Sequence, residues 1–424
     1  MVMDRANLKQ QARLLIVLLY AVLALSAGPV QAQDRAAVER QFRSWLDQTA
    51  WPRAQAVGVP RSVFDSAFAG VVLNWDLPDL VPPGAPPPAS QTQRQAEFGS
   101  PGRYFDRGSV DGAVSVGRQM AGRHTATLAR VERATGVPGH IILAIWGRES
   151  AYGRASIPYD AFAVLGTKAF MSTRADYFGD ELTAALQIVA KGHVGPRQMK
   201  SSWAGALGQP QFMPSNFLAY ATDGDGDGRA DIWQSEEDTI ASIGTYLARH
   251  GWIAGRDWGF EVTVPSSISC ALEGPDQGRI IADWQAMGIV RVNGRTFPGH
   301  ELQATGYLLT PAGRHGPAFI VTPNFYVLKD YNMSDLYALF VGHAGDKIAY
   351  GVGDFSTGWG EVGGLLRSDV AAMQRGLEAY GHDVGGADGL AGFKTRRAIG
   401  RWQAATGQAE SCFPDVTMRK ALSR

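Results

Sequence analysis

The chain has 424 residues, with 40 basic and 40 acidic side chains and a formal charge of zero. That balance excludes the basic field of a nucleic-acid binding protein, and the length allows two or three domains with a sizeable core. With 45% hydrophobic and 19% charged residues, 51 glycines and 22 prolines, the composition is that of an ordered chain with many turns, not a low-complexity one.

Residues 1–32 have the layout of an export signal. Arg5, Lys9 and Arg13 precede the apolar run Leu14 to Ala27, and Val30-Gln31-Ala32 offers a small-residue cleavage site. The run is short for a membrane span, so we expect cleavage rather than a retained anchor, and a periplasmic mature protein. No cysteine stands near the cleavage point, which argues against a lipoprotein. Only Cys270 and Cys412 are present; in an oxidising compartment one interdomain disulfide and two idle thiols are both open readings.

From Ala36 to Ala69 the pattern is helical, with Phe42, Trp45 and Leu46 on one face and Val63, Phe64 and Phe68 on another. The proline-rich stretch Leu77 to Ser90 has no helical period and predicts an extended connection laid over a surface. Helices are expected at Gly112 to Thr135, Tyr177 to Ala190 and Glu237 to His250, and short strands near Val262, Ile289 and Phe319 predict a small α+β lobe. Val137-Pro138 places proline in the first turn of another helix, running to Ser150. On it Ile141, Ile142, Ile145 and Trp146 recur at three- and four-residue spacing, and the next position on that stripe is Glu149. Desolvation there disfavours the ionised carboxylate and raises its pKa, which suits a general acid at neutral pH. The plainer alternative is a glutamate turned to solvent at the helix end.

Three further stretches carry chemistry. In Lys200 to Ser215, small residues let backbone approach a ligand, Ser202 and Gln211 supply neutral hydrogen-bonding groups, and Phe212 supplies a stacking face; a generic tight loop is the alternative. Asp223 to Trp233 has carboxylates at positions one, three and five and glycine at six, as in an EF-hand calcium loop. Position twelve is Gln234, so the bidentate acid must come from Glu236, Glu237 or Asp238. Closely spaced aspartates repel one another without a cation, so calcium is expected over a plain Asp-Gly turn. From Asn324 to Tyr337, tyrosines with apolar spacers either line a sugar groove or belong to the core. After Gly364, helices capped by Ser368 and Thr395 and stopped by Gly381 and Gly407, then a short one from Asp415 to Leu422, predict a small module. On the first of these Val370, Met373, Leu377 and Tyr380 share a face.

Together these motifs resemble the lytic murein transglycosylase B family. The resemblance spans about residues 36 to 345 and rests on Trp146 to Gly153, Arg174 to Phe178, Ala204 to Ser215, the aspartate loop, Pro323 to Tyr326 and Tyr331-Asn332. It implies a mainly α (α+β) fold: a lysozyme-like catalytic core with an accessory α domain and a small α/β lobe bearing the EF-hand-like loop, together over residues 33–360. The family's catalytic glutamate falls on Glu149. Its groove residues carry over to Tyr104, Arg174, Tyr177, Ser202, Gln211, Phe212, Tyr246, Tyr331, Asn332 and Tyr337, and its calcium ligands to Asp223, Asp225, Asp227, Arg229 and Asp238. Thr173 stands where relatives often carry a second arginine. Residues 365–424 resemble the C-terminal peptidoglycan-binding domain, with three helices, on Gln374, Leu377, Gly381, Asp388-Gly389, Thr395, Ala398-Ile399 and Trp402-Gln403.

The resemblance implies a periplasmic enzyme that cleaves the β-1,4 bond between N-acetylmuramic acid and N-acetylglucosamine without water. One glutamate would make both proton transfers and leave a 1,6-anhydro sugar. Peptidoglycan glycan strands are the implied partner, with proteins of cell-wall synthesis or hydrolysis beside them and no nucleic acid; calcium would be structural, with no organic cofactor. A hydrolytic muramidase on the same scaffold would need a second acid, for which Asp160, Asp176 and Glu181 are candidates. A non-catalytic wall-binding scaffold would leave the acid at the end of the apolar stripe unexplained. The eight histidines form no HxxxH pair for zinc.

Overall fold

The computed structural model describes residues 30–85 and 101–422. The fold is mainly α with one five-stranded sheet, and the chain divides into two compact units, Met1–Pro88 with Tyr159–Gly205 and Ala89–Pro158 with Ala206–Arg424. No helix among the described residues is long and apolar enough to cross a membrane.

In the first unit, helix Val30–Trp45 continues through a π turn, Leu46–Ala50, into Trp51–Ala56, and Arg61–Phe68 folds back. The aromatic positions read from the sequence converge. Phe42 meets Phe68 edge to face at 6.5 Å, and Phe68 meets Phe162 of helix Ala161–Met171 at 5.9 Å. Each such fully buried side chain contributes about 1.5–3 kcal/mol, so this cluster, and not propensity, holds helices too short to stand alone. The described part of the proline-rich chain is not extended throughout but turns at Pro78-Asp79 and at Pro83-Gly84, where Asp79 and Gly84 take φ of 65° and 80°; between the turns Leu80 bridges to Ser172, and the Val81 N–H donates to the Met171 carbonyl at 2.6 Å. Residues 86–90 of that stretch and the apolar run of the expected export signal lie outside the described residues; Val30 to Ala32 begin the first described helix.

In the second unit the helix expected from Gly112 to Thr135 is two, Arg107–Arg123 and Thr125–Thr135. The break is at His124, which is buried with Nε2 2.7 Å from Glu236 Oε2 and its ring against Trp146. Pro138 is the N-cap of helix Gly139–Ser150, one residue before the first turn where the sequence placed it. Ile141 through Trp146 are all buried, so this glutamate helix is core on every side and not an amphipathic stripe. Helices Arg107–Arg123, Glu236–Arg249 and Asp335–Tyr350 surround it.

The sheet runs Arg279–Ile280, Thr305–Leu309, Ala318–Val321, Gly259–Thr263, Val290–Arg291, with every neighbour antiparallel. Its last three strands are those expected from the sequence, and Phe260, Leu308 and Ile320 join Trp284 in a small core. The C-terminal helices Arg367–Ala379, Phe393–Ala405 and Val416–Leu422 enclose their own core of Val370, Met373, Leu377, Ile399, Trp402 and Met418. Tyr380 is not part of it but 64% exposed. Nor do Ser368 and Thr395 cap these helices: Leu366 and Gly392 occupy the N-cap positions, and the buried Thr395 hydroxyl accepts from Gln374 instead. Of the two readings for the cysteines, the disulfide holds, closing 142 residues between Cys270 and Cys412.

Candidate active site

Glu149 lies one residue from the end of its helix. The chain turns there because Ala151, Tyr152 and Gly153 take positive φ values of 50°, 60° and 76°. Left-handed backbone is costly for side chains with a Cβ, and Tyr152 holds it in place: its ring packs edge-on to Trp146 at 5.3 Å, and its hydroxyl donates to the Ala113 carbonyl at 2.7 Å. Gly147 makes room, since a Cβ there would stand 2.6 Å from Tyr152 Cζ. The reversal fixes the last turn and leaves Glu149 half-buried. Burial pushes its pKa above the ordinary carboxylate value, while the Tyr337 hydroxyl, donating to Oε1 at 2.5 Å, and the charge of Arg148 pull it part of the way back. Burial likewise raises the Tyr337 and Tyr331 hydroxyls, so both stay protonated donors.

An aromatic wall stands behind this pair. Tyr331 stacks on Tyr337 at 6.5 Å, with Phe212 and Tyr246 packed against Tyr331. The Arg148 guanidinium lies over Tyr104 at 4.5 Å and over Phe340 at 4.9 Å. Of the ten expected groove residues, Tyr104, Gln211, Phe212, Tyr246, Tyr331, Asn332 and Tyr337 share the unit of Glu149, and Arg174, Tyr177 and Ser202 belong to the other. In that other unit Arg174 covers the Tyr177 ring at 4.2 Å. Two expectations need correction. Phe212 is 1% exposed and offers no stacking face, and Tyr246 is buried with its hydroxyl given to the Asp330 carbonyl. Both support Tyr331 and do not face a ligand. Gln211 holds φ 55° with its amide donating to the Gly208 carbonyl, and Asn332 is exposed.

Gln209, two residues from the glutamine singled out in the sequence, is the one that braces the site. It is buried, accepts from Trp146 Nε1 at 2.9 Å, donates to the Trp233 carbonyl at 3.2 Å, and gives its backbone N–H to Ile232. It thereby ties the glutamate helix to the aspartate loop. A lone amide in the run Ala206 to Pro210 was the available signal.

In the aspartate loop, Asp223, Asp225 and Asp227 each offer a carboxylate oxygen within 4.8 Å of the others. Asp223 accepts the N–H groups of Gly228 and Gly226, which pull its pKa down. Ser235 Oγ donates to Asp225 Oδ2. Three hard-oxygen donors this close fit calcium, and Arg229 occupies position seven, where such loops present a main-chain carbonyl. Asp238 is placed differently from that trio. It is buried, and its two oxygens accept from the backbone of Gly224, Asp225 and Asp231, clamping both arms of the loop.

The transglycosylase SLT domain family matches residues 41–346, and a peptidoglycan binding domain matches residues 367–422. Membrane-bound lytic murein transglycosylase B of Escherichia coli strain K12 is 31% identical over 262 residues, 58% of this chain and 67% of that protein. SltB3 of Pseudomonas aeruginosa, solved in complex with NAG-anhNAM-pentapeptide, superposes with TM-score 0.79 at 35% identity over 90% of this chain and 99% of its own. The Escherichia coli lytic transglycosylase SLT35 in complex with calcium gives TM-score 0.51 at 29% identity over 61% and 80%. With a family match across most of its length and a second across its C-terminal helices, the chain belongs to the transglycosylase SLT domain family and is a lytic murein transglycosylase carrying a peptidoglycan binding domain.

Proposed function

We propose that this enzyme works in the periplasm, after cleavage of its export signal, and breaks the β-1,4 bond between N-acetylmuramic acid and N-acetylglucosamine without water, using Glu149 alone for proton transfer. The observation that carries this reading is the desolvated Glu149 carboxyl paired with the Tyr337 hydroxyl. Tyr337 donates to Oε1, which leaves Oε2 to carry the acid proton. Glu149 gives that proton to the glycosidic oxygen as the bond to C1 breaks. The resulting carboxylate takes the proton of the muramic acid 6-hydroxyl as O6 bonds to C1, and Glu149 is an acid again. The product is a 1,6-anhydro end, with no water consumed.

A hydrolase would need a second carboxylate about 5–9.5 Å away. The groups that shift the Glu149 carboxyl are its burial, the Tyr337 hydroxyl and Arg148, and Asp160, Asp176 and Glu181 belong to the other compact unit. Asp160 has a structural use, capping helix Ala161–Met171 by accepting from Phe162 and Ala163. In support of an anhydro product, SltB3 was solved with both NAG-NAM-pentapeptide and NAG-anhNAM-pentapeptide. Beside Glu149 the sugar groove in this reading uses Tyr104, Gln211, Tyr331 and Asn332, backed by Phe212 and Tyr246; Arg174, Tyr177 and Ser202 are the candidate substrate contacts of the other unit. Asp223, Asp225 and Asp227, with Arg229 and Asp238, hold a calcium ion that orders the loop. Digestion of purified peptidoglycan in oxygen-18 water tests the mechanism: anhydro-muramic ends without label at C1 are expected, and labelled reducing ends as the main product would establish a muramidase.

A further inference from the structure

Arg396 of the C-terminal module is 3% exposed, yet every part of its guanidinium is bound. Nε donates to Glu273 Oε1 at 2.8 Å, Nη1 to the Ala391 carbonyl at 2.7 Å, and Nη2 to Asp335 Oδ2 at 2.9 Å. Glu273, fully buried at the sheet lobe, also accepts from the Thr310 N–H. The other oxygen of Asp335 receives Lys329 Nζ at 2.6 Å. Lys329 lies in the last turn of helix Pro323–Tyr331, and Asp335 is the first residue of helix Asp335–Tyr350. The network therefore straddles the turn Asn332-Met333-Ser334.

That turn sets the aromatic wall. Tyr331 ends the helix before it, and Tyr337, which holds Glu149, lies two residues beyond Asp335. Ser334 accepts from the Tyr337 N–H, so moving the turn moves Tyr337. A lysine ammonium is a point charge on a flexible stem, whereas a guanidinium locked on Glu273 presents its donors in one fixed plane. Burial pushes the Asp335 carboxyl up, but Lys329 and Arg396 hold it down at about 2, so it stays ionised at any working pH. Buried ion networks of this kind are weak devices for stability and are better at fixing one arrangement.

We propose that Arg396 is a positioning residue for the transglycosylase reaction: through Asp335 it fixes the turn that aims Tyr337 at Glu149, which makes the peptidoglycan binding domain part of the frame of the active site. This rests on the reading of Glu149 as the proton-transfer group. The test uses the full-length enzyme with Arg396→Lys and Asp335→Asn, each alone and combined with Tyr337→Phe. Each single variant should lose about ten- to a hundredfold in kcat, with KM and sacculus binding little changed, because the donor is misplaced and not removed. The basic limb of the kcat profile should move to higher pH, as in Tyr337→Phe, since anionic Glu149 loses its donor. In the Tyr337→Phe background the second substitution should add almost nothing. Losses that multiply in the double variants, or a lowered Tm with kcat and the pH limb unmoved, would overturn the proposal. Should Arg396→Lys fail to fold, the isosteric Asp335→Asn completes the same cycle. Glu149→Gln run alongside separates the two ideas: cleavage surviving there defeats the glutamate reading, whereas multiplying losses defeat only the role of Arg396.

Discussion

Opposed influences meet on the Glu149 carboxyl, burial raising its pKa and the Tyr337 hydroxyl and Arg148 lowering it. Removing the hydroxyl in Tyr337→Phe should therefore raise the pKa further. Activity that needs the protonated acid is lost as pH rises through that value, so the basic limb of the rate profile should move upward; a downward shift would mean that water has entered the site. Glu149→Gln should cut the rate about a hundredfold or more. The same burial has a consequence for stability. Because the folded pKa lies above the unfolded value of 4.5, the folded state binds the extra proton between the two, and stability falls as pH rises through that window. Glu149→Gln should thus melt higher than the wild type at about pH 7, with the difference gone near about pH 4; equal Tm values at both would show that the carboxyl is solvated. The burial ahead of Glu149 was legible in the sequence as an apolar run, but with every residue from Ile141 to Trp146 buried the three- and four-residue spacing marks no single face. The carboxyl's partner Tyr337, 188 residues away, came only through the family resemblance, since no local pattern joins two such positions.

Among the elements, helices and strands were read well where a long period repeats and poorly where one side chain decides. His124 breaks a helix by turning inward to Glu236, and Phe212 faces the core from a loop whose glycines and amides suggested a ligand. Neither choice is visible before the neighbours are in place. The aspartate loop was legible because its chemistry is local, and it leads to a prediction. Ile232, fully buried at the loop's end, sits where a Cβ on Gly208 would come within 2.6 Å, and its carbonyl takes the Gln209 N–H. Gln209 in turn holds Trp146, three residues before Glu149. If the loop holds calcium as proposed, chelation leaves Asp223, Asp225 and Asp227 repelling one another, and the Tm should fall. Withdrawing an ion present at a hundredfold excess over its Kd removes about 2.7 kcal/mol. Cleavage should weaken with it, and Asp227→Ala should lose the dependence on chelator. A melting curve indifferent to chelator would reduce the loop to a turn.

At the scale of the whole molecule, the C-terminal module is held to the sheet lobe and the Asp335 turn by a covalent tie and a polar one, and the two should separate by experiment. Spacing could suggest neither: the cysteines stand 142 residues apart, and Arg396, with Arg397 bound to Asp276, is an unremarked basic pair in a helix read only for its apolar face. The disulfide acts mainly by restricting the unfolded chain, and closing a loop longer than 100 residues is worth about 4–5 kcal/mol on that model. Beside it Ser269 Oγ and Cys270 Sγ both meet Glu410 Oε2. The Arg396 network, in contrast, adds little net stability over an apolar replacement of all its members, but it fixes direction, and removing one member leaves the others buried and unpaired. The double variant Cys270→Ala with Cys412→Ala should therefore lower Tm by several degrees, with kcat at 25 °C nearly unchanged, because the polar contacts still seat the module in the folded state. Arg396→Lys keeps the charge but not the fork, so it should lower Tm as well, and it should differ from the disulfide variant by losing the rate at 25 °C. Measuring Tm and kcat on both proteins checks the division of labour: a rate that falls in step with the loss of the disulfide would mean that the cross-link, and not the guanidinium, keeps the module in register with the active site.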